Sequence, residues 1–122
     1  MILVVDDDAN VTSFLSEALS SEGYRVVQAA DGVQAYDHVR RPDCKLMILD
    51  IQMPRINGIE LLLAMTHDDI RVPTVIMTGL QDVEEDVIRE FPGVVSFLRK
   101  PFKFEALEQT VRKMLGGPAE TR

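Results

Sequence analysis

The feature of this sequence that most limits its fold is a regular alternation between short apolar runs and longer segments with helical periodicity. The clearest run, residues 46–49, is apolar without interruption and leads directly into a carboxylate, Asp50. A run this short and this uniformly apolar is typical of a strand that is buried on both faces, as in parallel sheets. Pro54 and Gly58 follow it closely, so we expect the strand to end near Asp50.

The rest of the chain repeats this arrangement of one apolar run followed by one helical segment. The runs that predict strands are residues 2–5, 24–29, 46–49, 72–77 and 94–98. The apolar stripes that predict helices are Val11, Phe14, Leu15, Ala18 and Leu19; Val33, Tyr36 and Val39; residues 59–65; Val83, Val87, Ile88 and Phe91; and Phe104, Leu107, Val111 and Met114. This alternation predicts an α/β fold, a single doubly wound five-stranded parallel sheet with five helices on its two faces. The second run is the less apolar one, so we expect it near a sheet edge.

Length, charge and cysteine content exclude several classes of protein. The 122 residues suffice for one domain with a real core, which we expect over residues 1–116, followed by a loose tail or linker at 117–122. The net charge of −7 argues against direct binding to nucleic acid or anionic lipid. No apolar run approaches the roughly 20 residues that a membrane-spanning helix needs. Cys44 is the only cysteine, so we expect a small buried thiol and a reducing, cytoplasmic location.

Polar residues stand at the ends of four of the five predicted strands. They are Asp6, Asp7 and Asp8 after the first strand, Asp50 at the third, Thr78 at the fourth and Lys100 at the fifth. They would gather at one edge of a parallel sheet, and if the strand order is 2-1-3-4-5, the crevice lies between strands one and three. Two carboxylates about 5 Å apart at an effective dielectric constant of about 20 repel by roughly 3 kcal/mol. Such a cluster calls for a cation or for raised pKa values, and its oxygen ligands suit Mg²⁺.

Each of these residues also has a purely structural interpretation. Asp8 is suited to cap the following helix, Thr78 is a common β-branched strand residue, and Lys100 is by default a solvated lysine. These interpretations do not explain why polar residues coincide at four strand ends.

Four motifs together resemble the receiver domain of two-component response regulators. They are the apolar strand ending in Asp6-Asp7-Asp8, the stretch from Asp50 through Met53-Pro54 to Gly58, Met77-Thr78-Gly79, and Lys100-Pro101-Phe102. Each motif is weak alone, but all four occur in order on the expected elements, and the resemblance covers nearly the whole chain. The family has a flavodoxin-like fold, in agreement with the predicted sheet.

The resemblance implies a chemical role for each matching residue. Asp50 is expected to be the phosphoacceptor, which takes a phosphoryl group from a phosphohistidine on a sensor histidine kinase or a histidine phosphotransfer protein. The implied ligands of Mg²⁺ are Asp6, Asp7, Asp50 and the backbone carbonyl of Gln52. Thr78 and Lys100 match the hydroxyl and the ammonium that hold phosphoryl oxygens. The chain would therefore be a phosphorylatable signalling domain that turns over no substrate, rather than an enzyme.

The resemblance also implies a conformational switch and an output surface. Thr78 and Phe97 occupy the two switch positions, and Pro101 matches a proline whose preceding peptide bond is cis in the family. The surface expected to change is the one formed by the fourth helix, the fifth strand and the last helix. It would contact an output domain or a second copy of the chain. Gly79 departs from the family pattern, in which alanine is frequent at this position.

Three rival interpretations remain. A phosphatase of the haloacid-dehalogenase type also begins with an apolar strand and an Asp-x-Asp motif, but Asn10 stands where that pattern has Thr or Val. The chain also lacks a second acidic pair late in its sequence. A receiver with a vestigial pocket would act purely as a binding module and would fail to bind Mg²⁺. A flavodoxin is disfavoured because no Ser/Thr-rich phosphate loop follows strand one.

Overall fold

A computed structural model of the protein describes residues 1–51, 57–79 and 85–116. The elements follow one another as β1 (Ile2–Val5), α1 (Ala9–Ser21), β2 (Val26–Ala29), α2 (Gly32–Val39), β3 (Leu46–Asp50), α3 (Gly58–His67), β4 (Thr74–Thr78), α4 (Glu85–Arg89), β5 (Val94–Arg99) and α5 (Phe104–Leu115). The predicted alternation of strands and helices is confirmed.

The five strands form one parallel sheet in the order β2-β1-β3-β4-β5. β1 lies between β2 and β3, so the chain reverses its direction of travel across the sheet at this point. β1, β3 and β4 are completely buried, whereas β2 at one edge and β5 at the other are partly exposed. The doubly wound fold and the edge position of β2 are therefore as predicted.

The core is divided by the sheet into two apolar layers. Alternate residues of β1 point to opposite faces, so Leu3 joins the layer beneath α2, α3 and α4 while Val4 joins the layer beneath α1 and α5. Uninterrupted apolar strands are needed because both faces of the central strands are covered. Cys44 is buried in the first layer, as expected of a small apolar side chain.

Local hydrogen bonds explain where several helices begin and end. The Asp8 carboxylate accepts from the backbone N–H of Asn10 and caps α1, which confirms its structural interpretation. Asn57 and Glu60 form a reciprocal capping box at the start of α3. α5 ends at Gly116, whose φ of +74° suits a residue without Cβ.

Four side chains predicted to face the core are instead exposed. Phe14, Val33, Val87 and Met114 keep 59%, 44%, 49% and 36% of their surface in contact with solvent. In α2, burial falls on Ala35 and Val39 instead of Val33, because a helix of two turns has only a narrow stripe against the sheet. β2 and β4 also begin two residues later than predicted. The predicted start of the fourth helix at residue 82, Val83 and the tail at 117–122 lie outside the described residues.

Among residues 1–51, 57–79 and 85–116, no helix is both long and apolar enough to span a membrane.

Candidate functional site

Three carboxylates meet at the carboxyl-terminal edge of the sheet. Asp6 follows β1 directly, Asp50 is the last residue of β3, and Asp7 lies at the start of the loop into α1. One oxygen from each lies within 4.8 Å of the others. Asp6 and Asp50 are buried, at 1% and 6% exposure, while Asp7 is exposed. The predicted gathering of the first and third strand ends is thus present in the structure.

These acids line an open cleft of about 650 Å³. The other residues that line it are Asp8, Ile51, Asn57, Ile59 and Lys100. Neither Asn57 nor Ile59 was predicted from the sequence to lie in this site. The Asn-x-x-Glu pattern of a capping box could have indicated Asn57, because it marks the first turn of the helix that follows β3.

Lys100 provides the positive charge that balances the acids of the cleft. Its Nζ lies 2.8 Å from an Asp6 oxygen and 3.4 Å from an Asp50 oxygen. The three clustered carboxylates and the Lys100 ammonium carry a formal charge of −2 between them, and Asp8, which also lines the cleft, adds a fourth carboxylate. Burial by itself lowers the pKa of Lys100, but the hydrogen bond to Asp6 and the charges of Asp50 and Asp6 outweigh it and raise the pKa above its ordinary value. Lys100 is therefore protonated at neutral pH.

The backbone holds these side chains in place. The Asp6 carboxylate accepts from the N–H of Asp8 at 2.9 Å, which fixes one of its oxygens. The N–H of Lys100 donates to the carbonyl of Thr78 at 2.8 Å, so the end of β5 is tied to the end of β4. The Lys100–Pro101 peptide bond is cis.

Gly58 lets helix α3 approach the end of β3 closely. A Cβ at this position would lie 2.8 Å from the Ile51 Cα and 3.1 Å from the Asp50 carbonyl oxygen. The N–H of Gly58 also donates to the Ile51 carbonyl at 2.9 Å. The chain therefore returns tightly against Asp50 before α3 begins. Gln52, Met53 and Pro54 lie outside the described residues.

The remaining predicted site residues lie on β4 and β5. Thr78 ends β4 and is completely buried, and it is not among the residues that line the cleft. Gly79 follows it and is exposed. Phe97 on β5 is partly buried and packs against the core beneath α4. The Arg89 guanidinium carbon lies 4.4 Å from the centre of the Phe97 ring, a contact that no sequence motif predicted.

Comparison with known proteins yields a consistent set of relatives. The family model of the response regulator receiver domain matches residues 2–112. Sporulation initiation phosphotransferase F of Bacillus subtilis is 35% identical over 116 residues, which cover 93% of this chain and 92% of that protein. Response regulator MprA of Mycobacterium avium is 41% identical over 118 residues. The match covers 93% of this chain but 50% of MprA, so this chain spans about half the length of that relative.

Among solved structures, that of response regulator TrrA from Thermotoga maritima in complex with Mg²⁺-BeF is similar throughout. It superimposes with a TM-score of 0.81 and 31% sequence identity, over 93% of this chain and 97% of that one. The chain therefore belongs to the response regulator receiver domain family, a class of signalling domains, as its fold and its acidic cleft indicated.

The donor set of the cleft fits a small divalent cation. Its ligand atoms are carboxylate oxygens, and hard oxygen donors are those that Mg²⁺ prefers. The excess of carboxylates over ammonium groups in the cleft also favours binding of a divalent cation. The acidic cleft is thus compatible with Mg²⁺ and with phosphorylation of an aspartate within it.

Proposed function

We propose that Asp50 is the phosphoacceptor of this receiver domain. The observation that carries the proposal is the convergence of Asp50 with two further carboxylates and an ammonium group in an open cleft. Asp50 is largely buried, but the cleft gives a donor access to it. Asp6 and Asp50 both combine a buried carboxylate at a strand end with direct contact to Lys100. Of the two, Asp50 is the one that matches the phosphoacceptor in the family motif.

In the proposed reaction, an oxygen of the Asp50 carboxylate attacks phosphorus on the donor's phosphohistidine. A P–O bond forms while the P–N bond to the imidazole breaks, and the imidazole keeps the bonding electron pair. Little covalent assistance is needed in such transfers, so the chain acts by alignment and by charge. Lys100, which now contacts Asp50 and Asp6, would donate to one phosphoryl oxygen, and the Thr78 hydroxyl would donate to another.

Asp6, Asp7, Asp50 and the backbone carbonyl of Gln52 are the proposed ligands of Mg²⁺. An ion bound there would supply positive charge against the phosphoryl oxygens. The oxygens of the three aspartates already lie close enough together for this purpose. Gln52 lies outside the described residues, so its part rests on the family resemblance alone.

We further propose that Thr78 and Phe97 form the switch. Thr78 is completely buried at the end of β4, the strand that neighbours Asp50, and its hydroxyl is proposed to move toward a phosphoryl group on Asp50. The acyl phosphate carries about −1.5 to −2 charges, enough to attract Thr78 and Lys100. The strand register pairs Thr78 with Arg99 and Ile76 with Phe97, so movement of Thr78 opens space on the side of the sheet that Phe97 occupies.

The phosphoryl donor is proposed to be a sensor histidine kinase or a histidine phosphotransfer protein. An apolar surface that Val11, Phe14, Pro101 and Phe102 line adjoins the cleft, and Lys100 lines both. Phe14 is 59% exposed and contacts Phe104 edge-to-face. A protein donor that covers this surface would bring its phosphohistidine to the mouth of the cleft.

The output partner is proposed to bind the face that α4, β5 and α5 form. Val87 on α4 and Val95 on β5 are 49% and 42% exposed there. Either an output domain or a second copy of the chain would cover them.

We also propose the bounds and the setting of the domain. Residues 1–116 form the receiver domain, and residues 117–122 begin a tail or linker. The protein acts in the cytoplasm and turns over no substrate.

The direct test is labelling with radioactive acetyl phosphate and Mg²⁺. The wild type should incorporate one acid-stable, base-labile phosphoryl group per chain, and Asp50→Asn should incorporate none. Asp37→Asn on the exposed side of α2 is the matched control, since it removes the same charge far from the cleft. Labelling of Asp50→Asn at the wild-type level would refute the assignment. Continuous release of phosphate, faster than the label is lost from the protein, would favour a phosphatase instead.

A further inference from the structure

The side chain of Arg89 covers the aromatic ring at the proposed switch position. Arg89 is the last residue of α4, and its guanidinium carbon lies 4.4 Å from the centre of the Phe97 ring on β5. This is well inside the distance of about 6 Å at which a cation and a ring attract each other. The contact joins the helix and the strand of the proposed output face.

The contact between Arg89 and Phe97 depends on the present orientation of the Phe97 ring, because of the residues that surround the ring. Phe97 is partly buried and packs against the apolar layer that contains Ile76 and Ile88. By strand register it pairs with Ile76, which lies two residues before Thr78 on the same face of β4. The ring therefore lies between the core of this face and the exposed side chain of Arg89.

We propose that Arg89 is a positioning residue that holds Phe97 in the orientation seen in this structure and so opposes the switch. The proposal rests on the proposed function, in which Phe97 turns toward the space that Thr78 leaves after phosphorylation. A ring that turns away loses its stacking on the guanidinium, because Arg89 is attached to α4 and not to β5.

Loss of the Arg89–Phe97 contact should change the affinity of the cleft for its ligands, because the orientation of Phe97 and binding at Asp50 are thermodynamically linked. An interaction made in only one of two states shifts their equilibrium by its full free energy. A cation–π contact at a partly exposed site corresponds to about a two- to fivefold change in that equilibrium. By reciprocity, a ligand that favours the switched state must bind more tightly by the same factor when the contact is removed, as long as the present orientation predominates.

Arg89 could instead act only as a positive charge near the end of a helix. The two roles are distinguishable because lysine retains the charge but lacks the planar guanidinium that stacks on a ring. Arg89→Lys should then behave between wild type and Arg89→Gln if stacking matters. A pure charge effect would make Arg89→Lys identical to wild type.

The experiment uses beryllofluoride with Mg²⁺ as a phosphoryl mimic and protein labelled with 4-fluorophenylalanine. Of the five phenylalanine signals expected, the Phe97→Leu variant assigns that of Phe97. Titration should move the Phe97 signal at a beryllofluoride concentration about two- to fivefold lower in Arg89→Gln than in the wild type, with Arg89→Lys between them. Lys113→Gln on the exposed side of α5 removes the same charge and should titrate as wild type.

An unchanged or higher midpoint in Arg89→Gln would overturn the proposal, and so would an equal shift in Lys113→Gln. Asp50 labelling by acetyl phosphate separates this result from a failure of the proposed function. If Asp50 is labelled and the Phe97 signal never moves, Phe97 is not a switch and Arg89 has nothing to oppose. If Asp50 is not labelled, the phosphoacceptor assignment itself fails.

Discussion

At the scale of single residues, Lys100 carries the charge balance of the cleft. Its ammonium contacts both buried carboxylates, Asp6 and Asp50. Despite burial, the hydrogen bond to Asp6 and the charges of Asp50 and Asp6 raise the pKa of Lys100, so they favour its charged form over the neutral amine. Removal of one partner from a buried ion pair leaves an uncompensated charge, which costs about 3–5 kcal/mol when both groups are fully buried.

We expect Lys100→Gln to destabilise the metal-free protein by about 2–3 kcal/mol, less than the fully buried limit because Lys100 retains some exposure to water. Urea unfolding in EDTA measures this loss. Addition of Mg²⁺ should restore more stability to the variant than to the wild type, since the ion then replaces the missing charge. Lys103→Gln, an exposed lysine three residues on, should change neither quantity. Equal stability of Lys100→Gln and wild type in EDTA would show that the Lys100 ammonium does not compensate the charges of Asp6 and Asp50.

Gly58 and Gly79 form a matched pair that tests how tightly the chain must approach Asp50. A Cβ on Gly58 would lie 2.8 Å from the Ile51 Cα, whereas one on Gly79 would find its nearest neighbour, the Lys100 Cβ, at 3.9 Å. We expect Gly58→Ala to cost about 1–3 kcal/mol in overpacking and to slow Asp50 labelling. Gly79→Ala should be neutral or stabilise by about 0.4–1 kcal/mol through the unfolded chain. The measurements are the unfolding free energies and the Asp50 labelling rates of both variants. If Gly58→Ala matched the wild type in both, helix α3 would be free to shift away from Asp50.

At the scale of elements, α2 and α3 are joined by a hydrogen bond from the Tyr36 hydroxyl to the Asp68 carboxylate. The bond to Asp68 raises the pKa of Tyr36. The same bond, together with one from His67, lowers the pKa of Asp68. The link lies at the end of the sheet opposite the cleft, so a change there tests the fold without touching the site.

The sign of the pH dependence follows from these two shifts. The lowered pKa of Asp68 contributes stability above its unfolded value of about 3.9, and this is lost as pH falls through the folded value. The raised pKa of Tyr36 contributes stability below about 10, and this is lost as pH rises through the folded value. We therefore expect Tyr36→Phe to destabilise the protein most between about pH 4 and 10 and less at pH 3. Urea unfolding at pH 3, 7 and 10 measures this, and a loss that does not vary with pH would contradict it.

At the scale of the whole molecule, both the net negative charge and the acidic cleft destabilise the folded protein, because like charges repel one another. The chain carries a net charge of −7, and its three clustered carboxylates add local repulsion. Monovalent salt screens both contributions, whereas a divalent ion that binds the cleft acts by mass action on the folded state alone.

We expect Mg²⁺ to stabilise the wild type by about 1.4 kcal/mol for each tenfold rise in its concentration above the dissociation constant. Asp7→Asn should abolish this dependence at constant ionic strength, because it removes the exposed carboxylate of the cluster. The same variant should still be stabilised by NaCl, but less than the wild type, because one of the three clustered carboxylates is gone. Thermal unfolding at fixed ionic strength separates the two effects, and an undiminished Mg²⁺ response in Asp7→Asn would place the ion elsewhere.

The sequence by itself determined the class of fold and the strand ends at which polar residues stand, whereas the strand order was an assumption that the family resemblance supported. This information is local: apolar runs and helical spacing define the elements, and the handedness of crossovers limits their arrangement. It is also why the family could be identified from four short motifs. The acidic residues after β1 and β3 had to converge once those strands were parallel neighbours.

Only the tertiary structure decided which side chains meet. The contact of Lys100 with both Asp6 and Asp50 and the stacking of Arg89 on Phe97 join elements that are distant in sequence. The complete burial of Thr78 likewise depends on the packing around the end of β4. Phe14 was misassigned to the core for the same reason, since helical spacing defines a stripe but not how far the neighbouring layer extends over it. Periodicity fixes directions along one element, whereas distances between elements depend on how the whole core packs.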